Sequence, residues 1–396
     1  MKTIKELPKL NGAKVLVRVD YNVPIVGTRI RDTRRITSSF ETINAILKKG
    51  GTPILIAHLG DSTASLRPVA TFLSKTHKIV FVTHDLTDPH IQTIIASVPQ
   101  GTIVLLENIR RYAQEEKNDV AFAKTLAKLG QYYVNDAFSN CHRKHASMVG
   151  IPKYLPSYAG VQLEKEIAAL SSVLTNKKHP FVFILGGAKF ETKIPLLKRF
   201  VELADSVIIT GAIMNDFYTE SGFPVGKSVT EGGFSKPISL LLKNPKVLLP
   251  PDCLVLRPSS ASPSSRATAG KEKNVVTTPA EVEANDVIVD IGPQSVALIT
   301  EKIMKAKLVV WNGPTGWYEK GFVKATTDLA KACIASKART IIGGGDTGAV
   351  VEKVFNGASS AKAMAGEAKH IFISTGGGAT LQYLAQGTLP GITALK

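Results

Sequence analysis

Two doubly wound parallel-sheet (Rossmann-like) domains of the α/β class, facing a cleft and joined by an interdomain helix, are predicted by three observations on this 396-residue sequence. Short β-branched apolar runs alternate with longer amphipathic stretches, the pattern of parallel sheets covered by helices. In the first half the residues after these runs are basic or histidine; in the second half they are glycine-rich. Between the halves, near residues 155–175, the turn-rich YLPSYAG leads into VQLEKEIAALSSVL, an amphipathic segment long enough to bridge two domains.

Composition sets the frame. The chain is 44% hydrophobic, which suits two or three globular domains with real cores. No apolar run approaches the ~20 residues of a membrane helix. MKTIKELPKLNG lacks the apolar centre of a signal peptide, so a cytoplasmic protein is expected. Cys141, Cys253 and Cys333 are far apart and form no CxxC pair, and are read as small buried residues. The net charge is +17, with 22 Lys+Arg against 12 Asp+Glu in residues 1–158 and 27 against 20 in the remainder. Such a surplus suits nucleic acid, a membrane surface, small anionic substrates or solubility alone, and composition does not choose among them.

Taken in order, the first-half strands are KVLVRVD, TPILIAHLG, KIVFVTH, TIVLLENIR and YYVNDAF. The helical patterns SSFETINAILKKG and DVAFAKTLAKLG lie between them and end in glycine, as helices often do. The first strand is unusual. In VLVRVDYNVP, alternation places Val17, Val19, Tyr21 and Val23 on one face and Arg18, Asp20 and Asn22 on the other. Ligands of open parallel sheets bind beyond the carboxyl ends of the strands. There the sequence offers Arg18, Arg34, Arg35, His58, His84, Arg110, Arg111, His142, Arg143, Lys144 and His145. Converging guanidinium groups make a clamp for phosphate or carboxylate.

The second-half strands are PFVFILGG, SVIITGA, DVIVDIGP, LVVWNGP, RTIIGGG and HIFISTGGG. Six glycine-bearing strand ends predict close approach of backbone to phosphates, with helix N-termini behind them. Lys189 and Lys193 would share a face if a helix starts at GGA, an arrangement suited to a polyphosphate. GGGDTG, residues 343–348, has the form of a dinucleotide fingerprint, but Asp346 would repel a pyrophosphate unless a divalent cation bridges them. That points to a metal–nucleotide complex. GFPVGKS is one residue short of a P-loop, and HRKH has too little context for zinc. PSSASPSSRATAG, residues 258–270, reads as a loop. Arginines gripping a small anion on one domain and glycines, lysines and Mg²⁺ holding a nucleotide on the other together imply phosphoryl transfer.

RVDYNVP, AHLG, LENIR, VNDAFSNCHRKHAS, LEKE, LGGAKFETKI, VWNGPTGWYE, GGGDT and STGGGATLQYLAQGTLPGI resemble, in order and along essentially the whole chain, the phosphoglycerate kinases. The resemblance implies reversible transfer of the acyl phosphate of 1,3-bisphosphoglycerate to MgADP, giving 3-phosphoglycerate and MgATP. It implies that phosphoglycerate is held by Arg18, Asp20, Asn22, Arg35, His58, Arg110 and Arg143. It assigns Lys193 to the transferring phosphoryl group with Arg35 beside it, and Gly376, Gly377 and Gly378 to a helix N-terminus facing that group. Gly187, Lys189, Gly211, Asn312, Pro314, Glu319, Gly344, Gly345 and Thr347 are implied at the nucleotide, and Asp346 at Mg²⁺. The final segment is implied to return to the first domain, so the expected division is 1–158 plus 380–396, an interdomain helix at 159–174, and 175–379. A monomer is expected, with no nucleic-acid partner and no membrane.

Three departures accompany the resemblance. After His58-Leu59-Gly60, where the family carries Arg, stands Asp61; a carboxylate about 6 Å from a substrate phosphate would cost on the order of a hundredfold in affinity. Thr210-Gly211-Ala212 replaces a glycine triplet, and residues 252–275 match poorly. The competing readings are a catalytically weakened or repurposed member, a nucleic-acid binder, and another acyl-phosphate kinase. The second lacks runs of Lys/Arg mixed with aromatics, and the third would have a different arginine set.

Overall fold

The computed structural model describes residues 1–175, 178–188, 191–259, 272–357 and 370–396. The chain divides into two compact units, Met1–Ala168 with Gln386–Lys396, and Ala169–Ala385. The first dividing point lies inside the helix Val161–Thr175.

Unit one is built on a six-stranded sheet. Its strands are β1 (Lys14–Arg18), β4 (Thr52–Ile56), β5 (Ile79–Val82), β6 (Ile103–Leu106), β7 (Tyr132–Asn135) and β8 (Ser157–Ala159), in the order β5-β6-β4-β1-β7-β8 with every pair parallel. A hairpin of β2 (Ile25–Val26) and β3 (Arg29–Ile30) follows β1. The helices Phe40–Lys48 and Val120–Ala127 form where their apolar spacing places them. Asp119 caps the second by accepting the Phe122 amide at 2.8 Å, and Gly50 follows the first in the left-handed region at φ +82°.

Unit two carries β9 (Phe181–Leu185), β10 (Ser206–Ile209), β11 (Val247–Leu248), β15 (Leu308–Asn312), β16 (Arg339–Gly343) and β17 (Ile371–Ile373), in the parallel order β11-β10-β9-β15-β16-β17. A separate antiparallel sheet holds β12 (Cys253–Pro258), β13 (Glu272–Thr277) and β14 (Val287–Ile291).

All eleven apolar runs are strands, with two differences from the expected layout. DVIVDIGP supplies β14 of the antiparallel sheet rather than a strand of the parallel one. Its glycine serves packing: a Cβ on Gly292 would lie 2.2 Å from Asp252 Oδ2, and Asp252 caps the helix Pro293–Lys305 through the amides of Gln294 and Ser295. YLPSYAG, expected as a turn, contains β8, which pairs with β7 and is bridged by Thr3. Of the loop 258–270, residues 260–270 lie outside the described residues.

The strand alternation read from VLVRVDYNVP continues past the end of β1 at Arg18. Val17, Val19, Tyr21 and Val23 share one apolar core with Leu55, Leu105 and Val134. Apolar side chains on that face leave Arg18, Asp20 and Asn22 at the strand's carboxyl end.

Asp136, after β7, is fully buried and accepts the amides of Gln162 and Leu163 at the start of the helix Val161–Thr175. Gly160 leaves room for it, since a Cβ there would sit 2.2 Å from Asp136 Oδ1. Burial pushes this carboxyl up to about 7 from its usual 3.8. The folded state therefore keeps a proton that the unfolded state releases near pH 4. The associated stability is present below pH 4 and is lost as pH rises through 7, by roughly 4 kcal/mol. Asp136→Asn is expected to gain stability relative to wild type by that order between pH 4 and 8. Urea midpoints at the two pH values measure it, and parallel shifts in both proteins would refute the assignment.

Candidate functional site

The carboxyl ends of β1, β4, β6 and β7 bring the first set of residues together. Asp20, almost buried, accepts from the Ser139 hydroxyl and the Asn22 amide and pairs with Arg35 at 3.3 Å. Arg35 Nη1 also donates to the Asn22 carbonyl at 2.9 Å. The Asn22 side chain accepts the Gly60 amide at 3.0 Å, and Arg110 Nη1 donates to the Gly60 carbonyl at 2.6 Å. These contacts hold the first loop, the His58 loop and Arg110 as one body. Arg18 and His58 are buried beside it, 3.3 Å apart.

The electrostatics of this neighbourhood are strongly positive. Burial, and then the charges of Arg18, Arg110, Arg143 and His145, hold His58 far below the usual imidazole range, so it is neutral. Burial lowers Arg143, and the neighbouring Arg110 and Arg18 lower it further. Clustered guanidinium groups repel unless an anion lies among them. His58 Nε2 is buried with no hydrogen-bond partner. A buried donor left unmade costs about 1–3 kcal/mol, which an arriving acceptor recovers.

All seven predicted substrate residues are therefore in one neighbourhood, but Arg18 differs from the expectation. It is 1% exposed, and its guanidinium is committed to Ser147, the Val19 carbonyl and His58. It meets His58 rather than open space. Of the other cations at the strand ends, Arg34 is bound to Asp32, Arg111 pairs with Glu107, Lys144 lines a different groove beside Pro390, and His84 is exposed after edge strand β5. Asp61 is exposed, and its carboxylate accepts the amide and hydroxyl of Thr63 within its own turn.

The second site is in unit two. Loops after β9, β10, β15 and β16 surround a cavity of about 330 Å³, lined by Gly187, Gly211, Pro314, Glu319 and Asp346 among others. Its other walls are Met214, Val229, Ile288, Val289 and Trp317, apolar surface suited to a flat heterocycle.

The glycines fall into two physical classes. Gly187 and Gly211 do not present their amides to the cavity: Gly187 N donates to the Pro314 carbonyl at 2.9 Å and Gly211 N to the Thr315 carbonyl at 3.1 Å. A Cβ on Gly211 would lie 2.3 Å from Gly187 N, and one on Gly313 2.3 Å from the Gly186 carbonyl. These glycines let three loops pack backbone to backbone. Around Gly345, Gly377 and Gly378 a Cβ would meet nothing within 4 Å. They open the helices Gly345–Gly357 and Gly377–Gln386, the second with Gly376 held by Ser374 Oγ at 3.0 Å. Open helix N-termini attract anions.

Lys193 ends the 3-10 turn Glu191–Lys193, ahead of the helix Ile194–Leu203 rather than on it. The residue is 8% exposed, and its ammonium donates to the carbonyls of Gly186 (2.7 Å) and Ala188 (2.8 Å). Burial pushes it down to about 8. Lys189 lies outside the described residues. Asn312 Nδ2 and Thr347 Oγ1 are both buried without a partner, and both border Gly344. Asp346 is exposed in the first turn of the helix that carries Thr347.

The sequence reading missed two groups. Asp290, buried in the cavity wall, is pushed up to about 6 by burial and holds the Ile291 and Ala325 amides. In DIGP only the glycine drew notice. Glu115 and Ser147, fully buried behind Arg18, carried no signal of spacing.

The family model for phosphoglycerate kinase matches residues 4–387. The phosphoglycerate kinase of Dictyoglomus turgidum is 37% identical, with 100% of this chain and 99% of that protein covered, and that of Moorella thermoacetica is 38% identical, with 99% and 98% covered. The solved structure of phosphoglycerate kinase from Coxiella burnetii superposes with a TM-score of 0.78 at 31% identity, covering 99% of this chain and 97% of that one.

Proposed function

Because the chain belongs to the phosphoglycerate kinase family, we propose that its two anion sites hold the two substrates of that family's reaction. The chain is a phosphoglycerate kinase, a phosphotransferase acting on a carboxyl acceptor, and interconverts 1,3-bisphosphoglycerate plus ADP with 3-phosphoglycerate plus ATP. Phosphoglycerate is bound in unit one by Asp20, Asn22, Arg35, His58, Arg110 and Arg143, with Arg18 acting behind His58. The observation that carries this is the cation cluster around a neutral His58 whose Nε2 lacks an acceptor.

The nucleotide lies in the unit-two cavity, its base against the apolar wall and its ribose toward Glu319. Its phosphates lie near Thr347, Asn312, Gly344 and Gly345, with Pro314 in the wall; the resemblance also assigns Lys189, outside the described residues, to them. Lys193 and the helix opened by Gly376 and Gly377 stabilise the phosphoryl group. Phosphoryl transfer needs alignment and charge compensation more than covalent help. The acceptor carboxylate is already ionised, so no general base is needed.

The residues present fit Mg²⁺. Among the described residues no cluster of three or more His, Cys, Asp or Glu could hold a metal alone. Mg²⁺ is commonly held by one or two carboxylates plus substrate phosphates, and Asp346 stands beside the unpartnered Thr347 hydroxyl. When bound, it offsets phosphate charge. The reading extends to a monomer working in the cytoplasm. No helix among the described residues is long and apolar enough to cross a membrane.

The test is ATP- and Mg²⁺-dependent phosphorylation of 3-phosphoglycerate, coupled to glyceraldehyde-3-phosphate dehydrogenase. Turnover in wild type with loss in Arg35→Ala supports the assignment; equal turnover in both removes Arg35 from it. Because Thr63 holds its carboxylate, Asp61→Ala is expected to change KM for 3-phosphoglycerate by less than about threefold, in line with exposed substitutions. A tenfold fall in KM would show that Asp61 faces the substrate after all.

A further inference from the structure

Four segments of unit one meet in a buried chain of hydrogen bonds behind the anion site. Glu115, on the short helix Ala113–Glu116, accepts twice from Ser147: from the amide at 2.8 Å and from the hydroxyl at 2.5 Å. Ser147 Oγ in turn accepts Arg18 Nε at 2.9 Å. Arg18 Nη2 reaches His58 Nδ1 at 3.3 Å. Glu115 and Ser147 are fully buried, and Arg18 and His58 almost so.

The chemistry of the two ends fixes the direction of every bond. A guanidinium has only donors, and a carboxylate has only acceptors. The serine hydroxyl must therefore accept from Arg18 and point its proton at Glu115. His58 Nδ1 must accept from Arg18, which places the imidazole proton on Nε2. That nitrogen is the one buried without a partner. Glu115 is the carboxyl beside buried Arg18: burial raises its pKa, and Arg18 and the two Ser147 hydrogen bonds oppose that rise; His145 Nδ1, 3.9 Å from it, is pushed down to about 4 by burial and the neighbouring arginines.

We propose that Glu115 and Ser147 are positioning residues for the phosphoglycerate site, acting through Arg18 to hold His58 in its Nε2–H tautomer as a neutral donor toward the substrate. The inference rests on the assignment of this site to phosphoglycerate. It separates Arg18 from the substrate-contacting arginines: Arg18 orients the donor, and Arg35, Arg110 and Arg143 supply the charge. The carboxylate that holds Arg18 in place against His58 lies two hydrogen bonds beyond Arg18.

The test uses Ser147→Ala and the near-isosteric Glu115→Gln in the full chain. Long-range ¹H–¹⁵N correlation spectra report the His58 tautomer without ligand, and calorimetry gives Kd for 3-phosphoglycerate and for MgADP. The wild type is expected to show one Nε2–H tautomer. Either variant whose unit one folds, as judged by an amide correlation spectrum that overlays the wild type away from the relay, is expected to show mixed tautomers, with an MgADP Kd within twofold of wild type. Its 3-phosphoglycerate Kd should rise about tenfold or more, the usual scale for losing a buried charge-assisted bond. A single Nε2–H tautomer in both variants, or an unchanged 3-phosphoglycerate Kd despite mixed tautomers, overturns the proposal. Wild type that fails to bind 3-phosphoglycerate overturns the site assignment instead, and the tautomer spectra still decide the relay.

Discussion

Lys193→Met is expected to lower kcat by roughly 10²–10³-fold, the scale on which removal of one preorganised donor slows a charge-stabilised transfer. The ammonium is nearly buried and is held by two carbonyls of the glycine loop, so it is already in place before a phosphoryl group arrives. Its environment gives the assignment a second signature. Burial lowers its pKa from 10.5 to about 8. Below pH 8 both folded and unfolded states hold the proton, and the folded state bears the full cost of burying the charge. Between pH 8 and 10.5 only the unfolded state keeps the proton, so wild-type stability rises relative to Lys193→Met by roughly 3 kcal/mol across that window. Binding runs the other way. An anionic phosphate needs the charged amine, so nucleotide affinity in wild type falls by up to about tenfold per unit above pH 8 and stays flat in the variant. Coupled-assay kinetics and urea unfolding at pH 7 and 10 measure both. A variant keeping more than a tenth of wild-type kcat would remove Lys193 from the transfer step.

Gly211→Ala and Gly378→Ala are expected to fail in opposite ways. Gly211 is in the left-handed region at φ +65°, and its Cβ would lie 2.3 Å from Gly187 N, 2.9 Å from Gly187 O and 3.0 Å from Pro314 O. All three are backbone atoms and cannot rotate away. Backbone strain of about 1–3 kcal/mol and overpacking of similar size add to roughly 2–6 kcal/mol of lost stability. For a unit of this size that lowers its melting temperature by about 10 °C. Gly378 has open space around its Cβ and sits in the first turn of the helix Gly377–Gln386. Alanine there is a better helix former, so stability should hold or rise by up to about 1 kcal/mol. Its methyl group would occupy the approach of an anion to the helix N-terminus, and kcat should fall about tenfold or more, the effect of roughly a 1 Å misplacement or greater. Calorimetry on both variants, with the coupled assay beside it, separates the classes. Gly378→Ala with wild-type turnover would show that no phosphoryl group approaches there.

Much of this protein was legible in one dimension. The period-two and period-3.6 patterns determined which runs are strands and which are helices, because burying one face of either element leaves that pattern in the sequence. The polar residues Arg18, Asp20 and Asn22 marked one face of the first strand as unusual, since burying them without partners would be costly. The contrast between basic and glycine-rich strand ends is the sequence signal behind the two proposed anion sites. Tertiary structure alone decided the rest. DVIVDIGP pairs with β12 in the antiparallel sheet, and its glycine leaves room for Asp252, forty positions away, at a helix start. Gly187 and Gly211 proved to serve loop packing, whereas Gly345 and Gly378 face open space, a distinction that depends on the neighbouring loops and not on the letter G. Arg18 has its guanidinium committed to Ser147 and His58, and Ser147 is in turn held by Glu115, from segments about 100 to 130 residues further along the chain. Sequence records which groups must be buried or solvated. Which donor meets which acceptor is set only when distant segments close on one another, and hydrogen-bond direction depends on that meeting.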